Sequence, residues 1–158
     1  MEQVGLTAPR LLTPDDDLSG FSCGLELVDD WVHKWAHRAM AANTARVYVS
    51  FAGNKVAGIY SLSTHSIARA RSVAGALRRN SPDPIPCTLL GMLGVDANFK
   101  GGGVGWSLLR DAILRSSAAA ETVASRALVV EPANDEAADF YRHFGFREAE
   151  EGVLFIKL

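Results

Sequence analysis

The chain has 158 residues, of which 48% are hydrophobic and 22% are charged, and its formal net charge is −2. These values are typical of a soluble globular protein, and the length fits a single domain, which we expect to span residues 1–158. No run of about 18 apolar residues occurs, and the first residues lack the apolar segment of a secretory signal. Cys23 and Cys87 form neither a disulfide framework nor a metal-ligand cluster. We therefore expect a cytoplasmic protein with no bound metal and no membrane partner.

The first half of the chain mixes helical and extended patterns. Strands are predicted for residues 10–12, 47–51 and 56–62, the last two joined by a turn at Gly53-Asn54. Residues 21–44 predict one or two helices, and residues 69–79 a short one. Apolar side chains recur at helical spacing in the 21–44 segment and predict one buried face. They are Leu27, Trp31, Val32, Trp35, Ala39 and Met40.

The second half predicts alternating strands and helices. Residues 81–86 contain three prolines and must be an extended loop. Strands are expected at residues 88–95, 126–131 and 152–158. Helices are expected at residues 104–120 and 134–144, the second ending at Gly145 as a C-terminal glycine. No repeat, low-complexity segment or domain boundary is apparent.

The most informative segment is a glycine-rich turn between a predicted strand and a predicted helix, reading Lys-Gly-Gly-Gly-Val-Gly over residues 100–105. The first N–H groups of a helix have no partner within the helix, and its dipole favours negative charge there. Glycines allow positive φ and a close approach of the backbone to a phosphate. The segment therefore predicts a pyrophosphate site, although by itself it does not say which nucleotide or cofactor binds.

The charge distribution is strongly uneven. Between His33 and Pro82 there is no Asp or Glu, whereas eight basic residues occur there: Lys34, Arg38, Arg46, Lys55, Arg69, Arg71, Arg78 and Arg79. Such a stretch in a chain of net charge −2 indicates either a polyanion partner, with nucleic acid as the first candidate, or a solvated surface that lacks acids.

The order of these elements resembles the GNAT acetyltransferases. Their glycine loop reads R/Q-x-x-G-x-G/A and holds the acetyl-CoA pyrophosphate, and a later segment reads N-x-x-A-x-x-F-Y-x-x-x-G-F. Residues 134–146 read NDEAADFYRHFGF and match this second pattern at every specified position. The resemblance implies an α/β (α+β) GNAT fold, in which helices flank a mixed, mostly antiparallel sheet. It also implies acetyl-CoA as co-substrate.

Two further segments narrow the resemblance. Phe-Ser-Cys-Gly at residues 21–24 opens a Trp-rich helix, and LRRNSPDPIP at residues 77–86 precedes the strand that leads to the glycine loop. Together they are similar to the acetyltransferase toxins of bacterial toxin–antitoxin modules, the TacT and AtaT type. Members of this family acetylate the α-amino group of aminoacyl-tRNA and so block translation. The resemblance implies a ribbon-helix-helix antitoxin, operator DNA contacted only through that antitoxin, and a homodimer.

The resemblance also implies roles for individual residues. Tyr141 falls at the position whose phenol protonates the departing CoA thiolate. Apart from the resemblance, the side-chain chemistry of Glu131 and His65 would allow either to accept a proton through water, but a structural role is favoured for both. The cofactor-binding candidates lie on the strand, the glycine loop and the last helix: Leu93, Gly94, Val95, Lys100, Gly101, Gly102, Gly103, Val104, Gly105, Trp106 and Asn134. The tRNA-phosphate candidates are Lys34, Arg38, Arg46, Arg78 and Arg79.

Four positions depart from the family pattern. Lys100 replaces Gln or Arg, Gly94 replaces Ala, and Met92 and Gly102 stand where Arg is common. Backbone contacts survive such changes, but the missing basic side chains predict weaker binding of cofactor or tRNA. Two other functions stay open: acetylation of a small amine or a protein N-terminus, and a weakly active module that binds CoA or an antitoxin in repression.

Overall fold

The computed structural model describes residues 5–158. The strands are β1 (Arg10–Leu11), β2 (Arg46–Ala52), β3 (Lys55–Ile67), β4 (Ile85–Val95), β5 (Ala127–Val130), β6 (Arg147–Glu150) and β7 (Val153–Lys157). The helices are α1 (Glu26–Lys34), α2 (Ala36–Ala42), α3 (Gly75–Arg78), α4 (Val104–Ala120) and α5 (Asp135–His143), with 3₁₀ turns at Arg69–Arg71 and Ala97–Phe99.

The strands form one sheet in the order β1-β2-β3-β4-β5-β7-β6. The β4 and β5 strands run parallel, with Thr88 opposite Leu128. Antiparallel pairing joins β1 to β2, β2 to β3, β5 to β7 and β6 to β7. The expectation of a mixed, mostly antiparallel sheet with flanking helices is therefore confirmed.

The chain divides into two compact units, here called the first and second unit. The first unit consists of Met1–Leu62 and Met92–Ala112, and the second of Ser63–Gly91 and Ile113–Leu158. Within the first unit, α1, α2 and the loops before them bury apolar side chains against β2 and β3. Within the second, Leu77, Ile85, Val129 and Phe155 are among the residues that form a separate buried cluster.

The buried face of the first two helices differs from the predicted one. Leu27 and Trp35 are 65% and 53% exposed, whereas Val28, Val32 and Ala36 are buried. The helix breaks at Trp35, whose φ of −121° and ψ of −24° are not helical. The buried face of α1 centres on Val28 and Val32, four residues apart, and this orientation turns Leu27 outward. The prediction that Leu27 and Trp35 belong to the core is wrong.

The predicted helix over residues 69–79 is also interrupted. Ser72 and Ala74 are extended, and the Val73 N–H donates to the Ala149 carbonyl at 2.8 Å. Ala149 lies in β6, a short strand that the sequence analysis missed because only one of its four residues is fully buried. Backbone pairing with β6 therefore replaces the central turn of the predicted helix.

The first turns of α4 lie unusually close to β3. A Cβ atom placed on Gly58 would lie 2.7 Å from Leu108 Cδ1 and 2.9 Å from Val104 Cγ1, closer than side chains pack. On the same strand, the Tyr60 hydroxyl donates to a carboxylate oxygen of Asp111 on α4. These contacts fix the start of α4, and with it the glycine loop that precedes the helix.

We predict that Gly58→Ala lowers the free energy of unfolding by about 1–3 kcal/mol, because the added methyl group has to displace Val104 and Leu108. Thermal unfolding would measure the loss. Gly20→Ala is the matched control, since a Cβ at Gly20 has no heavy atom within 4 Å. Equal melting temperatures for the two variants would contradict close packing at Gly58.

Candidate active site

Strand β4 ends in the three residues expected to run beside the pantetheine chain of acetyl-CoA: Leu93, Gly94 and Val95. A Cβ on Gly94 would lie 3.1 Å from both Phe21 Cζ and Val28 Cγ1. An Ala at this position would press on both side chains, so glycine suits the close packing of Phe21 and Val28 against β4. Met92 packs against the buried cluster of the first unit, an environment that suits its thioether better than the family's Arg.

The glycine loop combines a capped turn, open backbone and a helix start. The Asp96 carboxylate accepts from the Asn98 N–H at 2.9 Å and so caps the 3₁₀ turn at Ala97–Phe99. Gly101 and Gly103 have φ of 82° and 83°, and no heavy atom lies within 4 Å of a Cβ built on either. Helix α4 begins directly afterwards, at Val104. The open backbone and the helix dipole suit an anion.

Two further positions, Gly102 and Trp106, are also open to solvent. Gly102 has ample room for a side chain, since a Cβ there would meet only the Phe99 carbonyl oxygen, at 3.7 Å. Packing therefore does not explain the absence of Arg at this position. Trp106 is 42% exposed on the first turn of α4.

The Lys100 side chain is engaged by the protein itself. Its Nζ donates to the Cys23 carbonyl oxygen at 2.7 Å. The sequence places Lys100 among the cofactor-binding candidates, with no partner inside the protein. The contact joins positions 77 residues apart in the chain, so no local pattern could reveal it.

In the second unit, α5 presents the residues of the N-x-x-A-x-x-F-Y pattern. The Asn134 side chain accepts from the Ala137 N–H at 2.8 Å, so its capping role explains the residue without a cofactor contact. Gly145, with φ of 97°, reverses the chain after the helix. The Phe146 ring then packs on Tyr141, with 5.4 Å between ring centroids. The Gly-Phe end of the pattern therefore encloses the tyrosine.

Tyr141 is only 5% exposed. Burial raises the pKa of its phenol above the ordinary value of 10, because a charged phenolate is poorly solvated there. The hydroxyl therefore keeps its proton throughout the neutral range, as a proton donor requires.

The basic residues predicted to contact tRNA lie on several elements. In the first unit Lys34, Arg38 and Arg46 are exposed, and the Arg38 guanidinium lies 5.4 Å from the Trp35 ring centroid. In the second unit Arg78 and Arg79 are exposed, and Arg78 Nη1 donates to the Ser72 carbonyl at 2.9 Å. All five remain accessible to a polyanion, although Arg78 has one donor engaged.

Metal and membrane sites receive no support from residues 5–158. No cluster of three or more His, Cys, Asp or Glu side chains in this range suits a metal ion. None of the helices there has the length and apolar character that a membrane crossing requires. Both cysteines are buried, and burial raises the pKa of the Cys87 thiol to about 11, which is typical of an unreactive core cysteine.

Comparison with known proteins identifies the family. Residues 43–148 match the acetyltransferase (GNAT) domain. The chain belongs to the GNAT acetyltransferases. Within this family, the tRNA-acetylating toxin of Mycobacterium tuberculosis is 39% identical over 154 residues, covering 98% of this chain and 92% of the relative.

Solved structures of GNAT toxins share the fold of this acetyltransferase. AtaT complexed with acetyl-methionyl-tRNAfMet is 28% identical, with a TM-score of 0.87 over 97% of this chain and 95% of that chain. A tyrosine-to-phenylalanine mutant of AtaT, bound to the C-terminus of the antitoxin AtaR and to acetyl-CoA, is 27% identical. Its TM-score is 0.80 over 97% of this chain and 93% of that chain.

We predict that Tyr141 stays protonated to higher pH than the ordinary tyrosine value of about 10. Because the pKa of Tyr141 is raised, the folded state holds the phenol proton more tightly than the unfolded state does. This contribution to the free energy of unfolding is complete below pH 10 and is lost as pH rises through the pKa of the folded state. Spectrophotometric titration of the wild type and Tyr141→Phe would reveal tyrosinate formation at this one residue. An ionisation step assigned to Tyr141 below about pH 10 would contradict the buried environment.

Proposed function

We propose that this acetyltransferase moves the acetyl group of acetyl-CoA to the α-amino group of aminoacyl-tRNA, and that it acts as a toxin by blocking translation. The observation that carries the proposal is the 39% identity to a tRNA-acetylating toxin over 98% of the chain. The solved complex of AtaT with acetyl-methionyl-tRNAfMet supports the same reaction class.

The glycine loop fits the pyrophosphate of acetyl-CoA. The open positions above Gly101 and Gly103 leave space for phosphate oxygens, and the start of α4 supplies N–H donors. Acetyl-CoA supplies an activated thioester when bound. We infer that the strand and loop residues hold it by backbone groups, with Asn134 as a further candidate: Leu93, Gly94, Val95, Lys100, Gly101, Gly102, Gly103, Val104, Gly105 and Trp106.

Tyr141 is the proposed catalytic residue. Its buried phenol stays protonated and donates its proton toward the thiolate that departs from the acetyl group. The attacking group needs little help, because an α-amino group has a pKa of about 7.7–8.0 and much of it is neutral near that pH. Positioning of the charged tRNA end then replaces a dedicated general base.

The proposed partners of the enzyme are an antitoxin and a second copy of the chain. A ribbon-helix-helix antitoxin would silence the enzyme and contact operator DNA for both proteins, and a homodimer would offer two basic surfaces to one tRNA. The solved AtaT complex with the C-terminus of AtaR supports an antitoxin partner. We propose the cytoplasm as the site of action, since charged tRNA is present there, and one catalytic domain spanning residues 1–158.

The direct test is acetyl transfer from labelled acetyl-CoA to bulk charged tRNA, with deacylated tRNA as the control. The proposal expects label only on the charged tRNA, released together with the amino acid when the ester is hydrolysed. Label that requires a free amine or a protein N-terminus instead would support the alternative GNAT substrates.

For Tyr141→Phe we expect kcat to fall by about 100- to 10,000-fold with little change in acetyl-CoA affinity, because the variant loses only the proton donor. Steady-state kinetics and calorimetric titration would measure the two effects. Tyr48→Phe, which removes a hydroxyl from a tyrosine on β2, is the matched control. An unchanged kcat in Tyr141→Phe would remove Tyr141 from the mechanism.

For the double variant Arg38→Gln/Arg46→Gln we expect a higher KM for tRNA and an unchanged KM for acetyl-CoA. Each lost phosphate contact should also reduce the slope of log KM against log salt by about one. Lys157→Gln, on the exposed end of β7, controls for a general loss of charge. An unchanged salt slope would show that these arginines form only a solvated surface.

A further inference from the structure

The Phe-Ser-Cys-Gly motif at residues 21–24 contacts, through its own backbone, the turn that leads from β4 into the glycine loop. The Ala97 N–H donates to the Ser22 carbonyl at 2.8 Å, and the Ser22 N–H donates to Asp96 Oδ2 at 3.1 Å. Phe21 fills the space beside Gly94. The motif, here called the brace, therefore borders both the end of β4 and the turn that follows it.

Helix α1 holds the brace from the other side. The Asp29 carboxylate accepts from the Cys23 N–H at 2.8 Å and from the Ser22 hydroxyl at 3.3 Å. Asp29 lies in the first turn of α1, so its position is set by the buried Val28 and Val32 on the same helix. The brace is therefore hydrogen-bonded to α1 as well as to the turn that follows β4.

Lys100 closes this arrangement. It is the residue before Gly101, and its ammonium donates to the Cys23 carbonyl at 2.7 Å. The two peptide groups that flank the Cys23 Cα are therefore held by charged side chains, the N–H by Asp29 and the carbonyl by Lys100. Hydrogen bonds to charged groups are stronger than neutral ones, so these two peptide groups are a firm anchor for the loop.

We propose that Lys100 is a positioning residue, whose ammonium fastens the glycine loop to the brace and leaves the acetyl-CoA pyrophosphate to the backbone N–H groups of residues 101–105. The proposal rests on the proposed function, because it assigns the loop to acetyl-CoA. It also explains why Lys serves where the family has Gln or Arg: a long side chain with a terminal donor reaches the Cys23 carbonyl. Affinity for acetyl-CoA then depends on Asp29 as well as on Lys100.

The test compares Lys100→Met, Asp29→Ala and the double variant with the wild type, using calorimetric titration of acetyl-CoA and steady-state kinetics. We expect each single variant to raise the acetyl-CoA Kd and KM by about 10-fold, with kcat unchanged. The double variant should be little worse than either single variant, because both break one connection. Lys100→Arg should restore most of the affinity, and Lys55→Met, another exposed lysine of the first unit, should match the wild type.

Salt dependence separates this role from a direct phosphate contact. If Lys100 acts through the brace, the slope of log Kd against log salt is the same in Lys100→Met as in the wild type. A direct ion pair would give a flatter slope in Lys100→Met and no effect of Asp29→Ala, and that result would overturn the proposal.

Amide hydrogen exchange provides a readout without ligand. In the free protein, Lys100→Met and Asp29→Ala should both accelerate exchange at the hydrogen-bonded amides that flank the loop, Ala97 and Ser107, while exchange in the core of β2 and β3 stays unchanged. Unchanged exchange at these two amides would overturn the proposal. A wild type that does not bind acetyl-CoA would instead refute the proposed function, and the exchange data would still decide whether the brace holds the loop.

Discussion

The close approach of α4 to β3 at Gly58 is the contact on which the rest of the candidate site depends. Only a residue without a side chain allows Val104 and Leu108 to pack so near the strand. Val104 is also the first residue of α4, so the packing that buries it fixes the end of the helix where N–H groups are exposed. An anion site made from backbone groups is only as well defined as the helix end that carries it.

Hydrogen bonds secure the remaining sides of the loop. Tyr60 stacks on Tyr48, with 5.0 Å between ring centroids, and its hydroxyl donates to Asp111 on α4. The Asp96 carboxylate, only 4% exposed, accepts hydrogen bonds from the Ser22 N–H of the brace and from the Asn98 N–H of its own turn. A buried carboxylate with such donors is well satisfied and makes the geometry of the turn specific. The flexible glycines thus stand between two rigid supports.

Local signals predicted the two long helices of the second half well, but they missed β6 and the start of β4 at Ile85, inside the predicted proline-rich loop. The bounds of α4 agree with the predicted residues 104–120, because a glycine-rich turn precedes the helix. The bounds of α5 were set by the Asn134 cap and Gly145, both readable from the sequence. The family pattern spans these elements, which is why the acetyltransferase family could be recognised before the fold was known.

The first half was predicted less well, because contacts distant in sequence decide it. In α1 the buried face runs through Val28 instead of Leu27, and the break at Trp35 leaves that indole exposed. The pairing of Val73 with Ala149 interrupts a segment with helical propensity. The hydrogen bond from Lys100 to the Cys23 carbonyl is likewise a contact between residues distant in sequence. For Val73 and Lys100 the partner lies too far along the chain for a spacing argument. For Leu27 and Trp35 the apolar residue type itself was misleading, because both side chains are exposed.

Whether the backbone of the glycine loop binds the pyrophosphate is tested most directly by the change in the backbone amide NMR spectrum when CoA is added. If backbone groups of the glycine loop hold the pyrophosphate, the largest shifts fall on the amides of residues 101–105, with smaller ones at residues 93–95. Pantetheine, which lacks both phosphates, should leave the loop amides largely unshifted. Shifts confined to other parts of the chain, or equal loop shifts with both ligands, would show that the loop does not hold the pyrophosphate.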